Sequence, residues 1–251
     1  MDGLSTFYYG IQMRIVSLLA GLVVGLLVLG ACGSAPGPTP EPAPGAAREA
    51  TPPAQPSAAP DDRLVIVAFG DSLTAGFGAD PGKSYPDFLQ QELDRRGLRY
   101  RVVNGGISGE TTTDALERLK TVTALSPAVA IVEFGGNDGL RGLPVSTTRS
   151  NLDQIVVGLK DSGAQVLLAG MTLPPNYGPD YIAAFQRVYS DLAAKDKVAL
   201  IPFLLEGVAG TSRMQRDGLH PTADGNRLVA ATVMRYLQPL LRGRPASGRG
   251  G

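Results

Sequence analysis

Four short polar clusters stand out in the 251-residue chain as places where chemistry could occur: Gly70–Gly76 (GDSLTAG), Gly105–Thr112 (GGISGETT), Gly135–Gly139 (GGNDG) and Asp217–Pro221 (DGLHP). Together they hold a serine hydroxyl (Ser72), glycine amides, a carboxamide (Asn137) and the only histidine, His220. A serine hydroxyl is a weak nucleophile until an adjacent base takes its proton. Imidazole, ordinarily titrating near ~6.5, can accept that proton and return it to a leaving group. Asp217, three residues before His220, is close enough in a loop to orient the ring and stabilise imidazolium. A carboxamide offers N–H donors without charge, which suits an oxygen that becomes anionic only transiently. Singly, each cluster has a plainer reading: Ser72 as a helix cap, the glycines as turns, His220 as a packed or solvent-facing ring. Asp71 and Asp138 read as turn-shaping hydrogen-bond acceptors.

The elements between these clusters explain why they belong together. Leu64–Phe69 is a continuous apolar run, as for a strand covered on both faces, and Arg101–Asn104, Ala128–Phe134, Gln165–Gly170 and Val198–Ile201 are four further strand candidates. Helical patterns alternate with them. The first is capped by Ser84, carries Tyr85, Phe88, Leu89 and Leu93, and stops at Gly97. The second carries Leu116, Leu119 and Val122, and the third Leu152, Ile155, Val156 and Leu159, closed by Gly163. A fourth lies near Tyr181–Ala194. The last is capped by Thr222 and shows a face of Leu228, Val229, Val233, Tyr236, Leu237 and Leu240. Five strands alternating with five helices predict a three-layer α/β/α domain around a flavodoxin-like, five-stranded parallel sheet. In such sheets ligands sit beyond the carboxyl ends of the strands, where the first three polar clusters fall.

In order and content, the clusters resemble the four sequence blocks of the SGNH (GDSL) hydrolase family, and the likeness runs through nearly all of residues 64–240. GDSLTAG, VVNGGISGETT, VEFGGNDGLRGLP, LPPNYG and DGLHP are most similar to bacterial multifunctional thioesterase/lysophospholipase/arylesterase members. The resemblance implies Ser72 as nucleophile, with Asp217 and His220 completing a catalytic triad. It maps the oxyanion donors to the Ser72 and Gly109 amides and the Asn137 side chain. It also implies that the loop Leu140–Pro144, through Leu140, Leu143 and Pro144, lines and gates an acyl-chain groove. Gly105-Gly106 departs from the family pattern, where bulkier or polar residues are expected, and should loosen that loop. The activity implied is hydrolysis of acyl, aryl or thioesters through an acyl-enzyme, without cofactor or metal. A polysaccharide O-acetylesterase and a non-catalytic lipid- or glycan-binding lipoprotein are the alternatives.

Composition narrows the field. The chain carries 23 basic and 23 acidic residues, and residues 63–241 alone balance at 18 each, so a nucleic-acid partner is not expected. A single histidine excludes zinc sites needing two imidazoles. Phe77–Ser84 nearly spells a P-loop but has phenylalanine where the first glycine is required, and does not follow directly from a strand. No G-x-S-x-G occurs, so the α/β-hydrolase elbow is absent. Lys83 is a needless alternative base while His220 is available.

The N-terminal residues read as targeting rather than fold. Ile15–Gly30 is apolar and uncharged, short for a membrane span, and fits a secretory h-region. It ends in Leu29-Gly30-Ala31-Cys32, which resembles the lipobox of bacterial lipoproteins, where cleavage precedes a lipidated cysteine. An uncleaved signal anchor with an incidental cysteine is the plainer alternative. The segment before Met13 lacks positive charge, so Met13 is a second candidate start. The expected organisation is a signal peptide (1–31), lipid-anchored Cys32 with a Pro/Ala-rich tether (32–62), the hydrolase domain (63–241) and a flexible tail (242–251). The tether holds nine of the twenty prolines between residues 33 and 62. The lone cysteine excludes an intrachain disulfide. The expected setting is a monomer tethered in a bacterial cell envelope, at the periplasmic face of the outer membrane in a Gram-negative cell. Its expected partners are small ester or lipid substrates, with the membrane met only through the anchor.

Overall fold

The computed structural model describes residues 61–241. The expected signal peptide, Cys32, the tether as far as residue 60 and the tail from 242 lie outside the described residues. Asp61 and Asp62, counted with the tether, are described: Asp61 pairs with Arg63, and Asp62 with Arg99.

Five strands form one parallel sheet: β1 (Leu64–Gly70), β2 (Tyr100–Gly106), β3 (Val129–Glu133), β4 (Gln165–Ala169) and β5 (Ala199–Ile201). Their spatial order is β2-β1-β3-β4-β5, the flavodoxin-like order, and every neighbouring pair is parallel. The apolar runs make sense on this sheet, since Ile66–Phe69 and Val129–Val132 are covered on both faces and fully or almost fully buried. Helix α2 (Tyr85–Arg95) and the last helix, Ala223–Leu241, pack together. The helix Val145–Asp161 packs with Thr112–Glu117 and with Pro179–Asp196, forming the other layer. In chain order these are α8 (Ala223–Leu241), α6 (Val145–Asp161), α3 (Thr112–Glu117) and α7 (Pro179–Asp196), with three short helices, α1 (Ser72–Ala75), α4 (Leu119–Thr123) and α5 (Gly136–Leu140), between them.

Local chemistry sets the boundaries. Ser84 caps α2 through a reciprocal capping box with Asp87, so the near P-loop is a loop and a helix cap. The Thr222 hydroxyl accepts from Gly225 N–H at the start of α8, as a cap should. Two expectations are corrected. The second helix is broken into α3 and α4 at Arg118, whose guanidinium turns back to Glu110 and the Gly70 carbonyl. Leu228, placed on the buried face of the last helix, is 37% exposed, whereas Val229, Val233 and Leu237 are buried.

Candidate active site

The carboxyl ends of β1, β2 and β3 lie side by side, with Gly70 in register with Gly106 on one flank and Glu133 on the other. The chain leaves β1 through Asp71, whose carboxylate caps α1 by accepting from Leu73 N–H at 3.0 Å. Ser72 is therefore the first residue of a one-turn helix at the sheet edge. Its hydroxyl lies 2.9 Å from His220 Nε2, across 148 residues of sequence.

His220 sits in the loop before α8. Its Nδ1 is 2.7 Å from Asp217 Oδ2, and Asp217 Oδ1 accepts from Leu219 N–H and His220 N–H at 2.9 and 3.0 Å. A carboxylate only accepts, so Nδ1 carries the ring hydrogen and Nε2 of the neutral ring is left to accept from Ser72. Burial acts to raise the Asp217 carboxyl, but the hydrogen bonds from the His220 ring and the two backbone N–H groups outweigh it, bringing it down to about 2. The Phe77 ring lies against the imidazole with centroids 4.7 Å apart. Gln215 joins the two loops: its Nε2 donates to Phe77 O at 2.7 Å and to Pro221 O at 2.9 Å.

Gly109 and Asn137 border the same cavity as Ser72 and His220. Gly109 has φ +86°, a conformation that favours glycine. Asn137 Nδ2 donates to Glu110 O at 2.9 Å and Asp71 Oδ2 at 3.1 Å, so both its hydrogens are engaged at rest. Asp71 is buried and its carboxyl is held above the usual range by that burial. Asp138 is fully buried and accepts from Thr112 N–H, Thr112 Oγ1 and Thr148 Oγ1, tying α5 to α3 and α6. Both aspartates thus shape turns, and neither contacts the Ser72 hydroxyl.

The cavity of about 780 Å³ has mostly apolar walls, including Leu73, Phe77, Leu140, Met171, Leu173, Phe203 and Leu205. Of the three residues expected to form the groove, Leu140 lines it, while Leu143 and Pro144 do not. Pro144 is instead the cap position of α6, and the Leu143 carbonyl accepts from Tyr181 Oη at 2.7 Å. Tyr177 Oη likewise donates to Leu140 O at 2.8 Å, so the LPPNYG segment and α7 tie the loop down. The glycine pair is also corrected. Gly105 and Gly106 belong to β2, and a Cβ on Gly106 would lie 2.2 Å from Ala75 N, so glycine there admits close packing of α1 and does not loosen a loop.

Sequence reasoning missed the wall residues Met171 and Phe203, the Gln215 link and Glu133. The last had a signal: a lone carboxylate in the apolar run AVAIVEF. Among the described residues no group of three histidine, cysteine, aspartate or glutamate side chains is arranged to hold a metal ion.

Residues 68–228 match the model of the GDSL-like Lipase/Acylhydrolase family. The chain is 44% identical over 178 residues to Esterase TesA of Pseudomonas aeruginosa, covering 70% of this chain and 89% of that protein. It is 39% identical over 185 residues to the Thioesterase 1/protease 1/lysophospholipase L1 of Escherichia coli K12, covering 73% and 86%. The solved structure of the psychrotrophic esterase EstA from Pseudoalteromonas sp., inhibited by monoethylphosphonate, superposes with a TM-score of 0.68 at 30% identity, covering 72% of this chain and all of that one. By fold, by motif order and by these matches, the chain belongs to the GDSL-like lipase/acylhydrolase family of SGNH hydrolases.

Proposed function

We propose that the protein is a serine esterase that cleaves carboxylic esters through a Ser72 acyl-enzyme. The observation that carries this reading is the hydrogen-bonded chain Ser72–His220–Asp217, at 2.9 and 2.7 Å. In the first half-reaction Ser72 Oγ attacks the ester carbonyl while His220 Nε2 takes its proton. Asp217 holds the ring in the required tautomer and stabilises the imidazolium. Charge collects on the former carbonyl oxygen, facing the Ser72 amide, the Gly109 amide and Asn137 Nδ2. The C–O or C–S bond then breaks, and His220 returns the proton to the leaving group. Water repeats the sequence on the acyl-enzyme and releases the acid. All three triad residues come from one chain, so the triad is complete without a second copy.

The apolar cavity and the balanced charge of the domain suit neutral or zwitterionic lipid, aryl or thioesters. They suit a polysaccharide O-acetyl substrate less well, and a pure binder has no use for an oriented imidazole. The N-terminal lipobox-like sequence supports a bacterial envelope location through a lipidated Cys32. There it meets lysophospholipids or lipid esters more than cytosolic thioesters. Hydrolysis of p-nitrophenyl esters of increasing chain length is the test. Ser72→Ala and His220→Ala should each abolish turnover with melting unchanged. Wild-type protein inert toward every chain length would support the binder instead. Loss of labelled-palmitate incorporation in Cys32→Ser would support the anchor, and unchanged incorporation would remove it.

A further inference from the structure

Glu133, the last residue of β3, is a fully buried carboxyl group behind the nucleophile turn, and the steps described so far do not use it. Its Oε2 accepts from Asp71 N–H at 3.2 Å and from Thr74 Oγ1 at 2.9 Å. Thr74 has one hydroxyl proton and spends it on Glu133, so at the 3.2 Å contact with Tyr85 the phenol is the donor. Glu133 Oε1 receives no hydrogen bond from any N–H or hydroxyl among the described residues. The Asp71 N–H bond to Oε2 sets the Glu133 carboxyl group beside the Asp71 residue, which is also buried. Two carboxyl groups this close and out of water do not both ionise, and the one that keeps its proton can donate it to the other.

The surroundings assign the proton. Asp71 accepts two N–H groups, from Leu73 and Asn137, and the positive charge His220 takes on when it accepts the Ser72 proton favours its ionised form. Glu133 has no ion pair among the described residues and faces Asp71 from the β1–α1 turn, Tyr85 from α2 and Tyr189 from α7, none of which stabilises a second anion. Burial first, and the Asp71 charge second, hold its carboxyl well above the usual range. The fold also reserves space for this head group. A Cβ at Gly70 would lie 2.5 Å from Glu133 Oε2 and 2.1 Å from Thr74 Oγ1, so the glycine of the GDSL turn admits the pair.

We propose that Glu133 is a positioning residue: as a neutral acid it donates to the Asp71 carboxylate and so fixes the acceptor that aims the Asn137 amide. The proposal rests on the oxyanion role given to Asn137 above. One shared proton has two effects. It holds Asp71 against the end of β3 while Asp71 holds Asn137, and it draws part of the Asp71 charge away from the place where the substrate oxygen becomes negative. Loss of that proton sets two carboxylates in contact, pushes Asp71 off its position and adds an anion beside the oxyanion.

The test compares Glu133→Gln, which keeps a donor and cannot ionise, with Glu133→Leu, of similar size and without a donor. Turnover of p-nitrophenyl acetate is followed from mildly acidic to alkaline pH, with melting measured in parallel. At neutral pH Glu133→Gln should keep kcat within about threefold of wild type, whereas Glu133→Leu should lose about 10- to 100-fold in kcat with KM little changed, the scale for a misplaced catalytic group. The Gln variant should also lack the alkaline fall in kcat that ionisation of Glu133 gives the wild type. A Leu variant that melts earlier but keeps kcat would reduce Glu133 to a packing role and overturn the proposal. So would a Gln variant as impaired as Leu, since an ionised carboxylate would then be required. Infrared spectroscopy reads the proton without turnover. Wild type at neutral pH should show a carboxylic-acid C=O band that Glu133→Gln lacks, and absence of that band in wild type overturns the proposal even if Ser72→Ala shows the catalytic reading itself to be wrong.

Discussion

Replacing Asn137 with alanine separates two jobs held by one side-chain amide. One of its hydrogens goes to Glu110 O at 2.9 Å and the other to Asp71 Oδ2 at 3.1 Å. A dedicated oxyanion donor, free until the transition state, contributes about 2.7–4 kcal/mol, or about 10²–10³ in rate. Here the donor that meets the substrate oxygen must first give up or share a bond to a carboxylate, itself worth about 1.5–3 kcal/mol. The difference, about 1–2 kcal/mol, predicts a fall in kcat/KM of about 5- to 30-fold at ~1.36 kcal/mol per decade. Alanine also deprives Glu110 O and Asp71 Oδ2 of one donor each. Asp71 borders the cavity, where water can replace the lost bond, so the expected cost in stability is about 1–2 kcal/mol, or about 2–8 °C in Tm. The assay is steady-state hydrolysis of p-nitrophenyl acetate with thermal melting on the same samples. A kcat/KM within twofold of wild type would mean that Asn137 only clasps Asp71. A loss of about 10³ would mean that the bond to Asp71 does not compete, and the subtraction would be wrong.

Four further outcomes follow from the geometry. Asp217→Asn keeps an acceptor for the backbone N–H groups but turns an N–H toward Nδ1, forcing the wrong tautomer; kcat should fall about 10⁴-fold with KM little changed. In the wild type, Asp217 titrates about 2 against an ordinary 3.8, so the stability it contributes is present above pH 4 and lost as pH falls from about 4 to about 2, which melting across that range would show. Gly106→Ala drives a Cβ to 2.2 Å from Ala75 N, and calorimetry should show a loss of about 3 kcal/mol, the upper end for overpacking. Leu140→Ser should weaken kcat/KM on long acyl chains by about fivefold, about 1 kcal/mol of apolar contact, and spare acetyl esters, while Leu143→Ser should change neither.

The fold was legible because its signals are local. The apolar runs at β1 and β3 and the polar clusters after β1, β2 and β3 need only a parallel sheet to bring Ser72, Gly109 and Asn137 to one edge. What was not legible depends on who meets whom across the sheet. Leu143 and Pro144 lie within four residues of Leu140, but Tyr177 and Tyr181 tie their loop so that only Leu140 faces the cavity. Gly105-Gly106 looked like slack because nothing in the sequence says that Ala75 stands against it. Arg118 sits in a plausible helical run, yet its ion pair with Glu110 outweighs helical continuity there. The partnership of Asp71 with Glu133 joins residues 62 apart, and no spacing rule reaches that far.

The sequence separation of 148 positions between Ser72 and His220 imposes an order of events on each molecule. Chains grow from the N-terminus, so the nucleophile turn, the Gly109 loop and Asn137 all emerge well before the imidazole. Until Asp217–His220 arrives and Gln215 bonds to Phe77 O, Ser72 has no base, because the chain contains no other histidine. A growing or C-terminally truncated chain is therefore a silent hydrolase. Ester cleavage begins only when nearly the whole domain has been made and closed, and a cell that makes this protein in one place and uses it in another carries it inert for as long as that final docking is delayed.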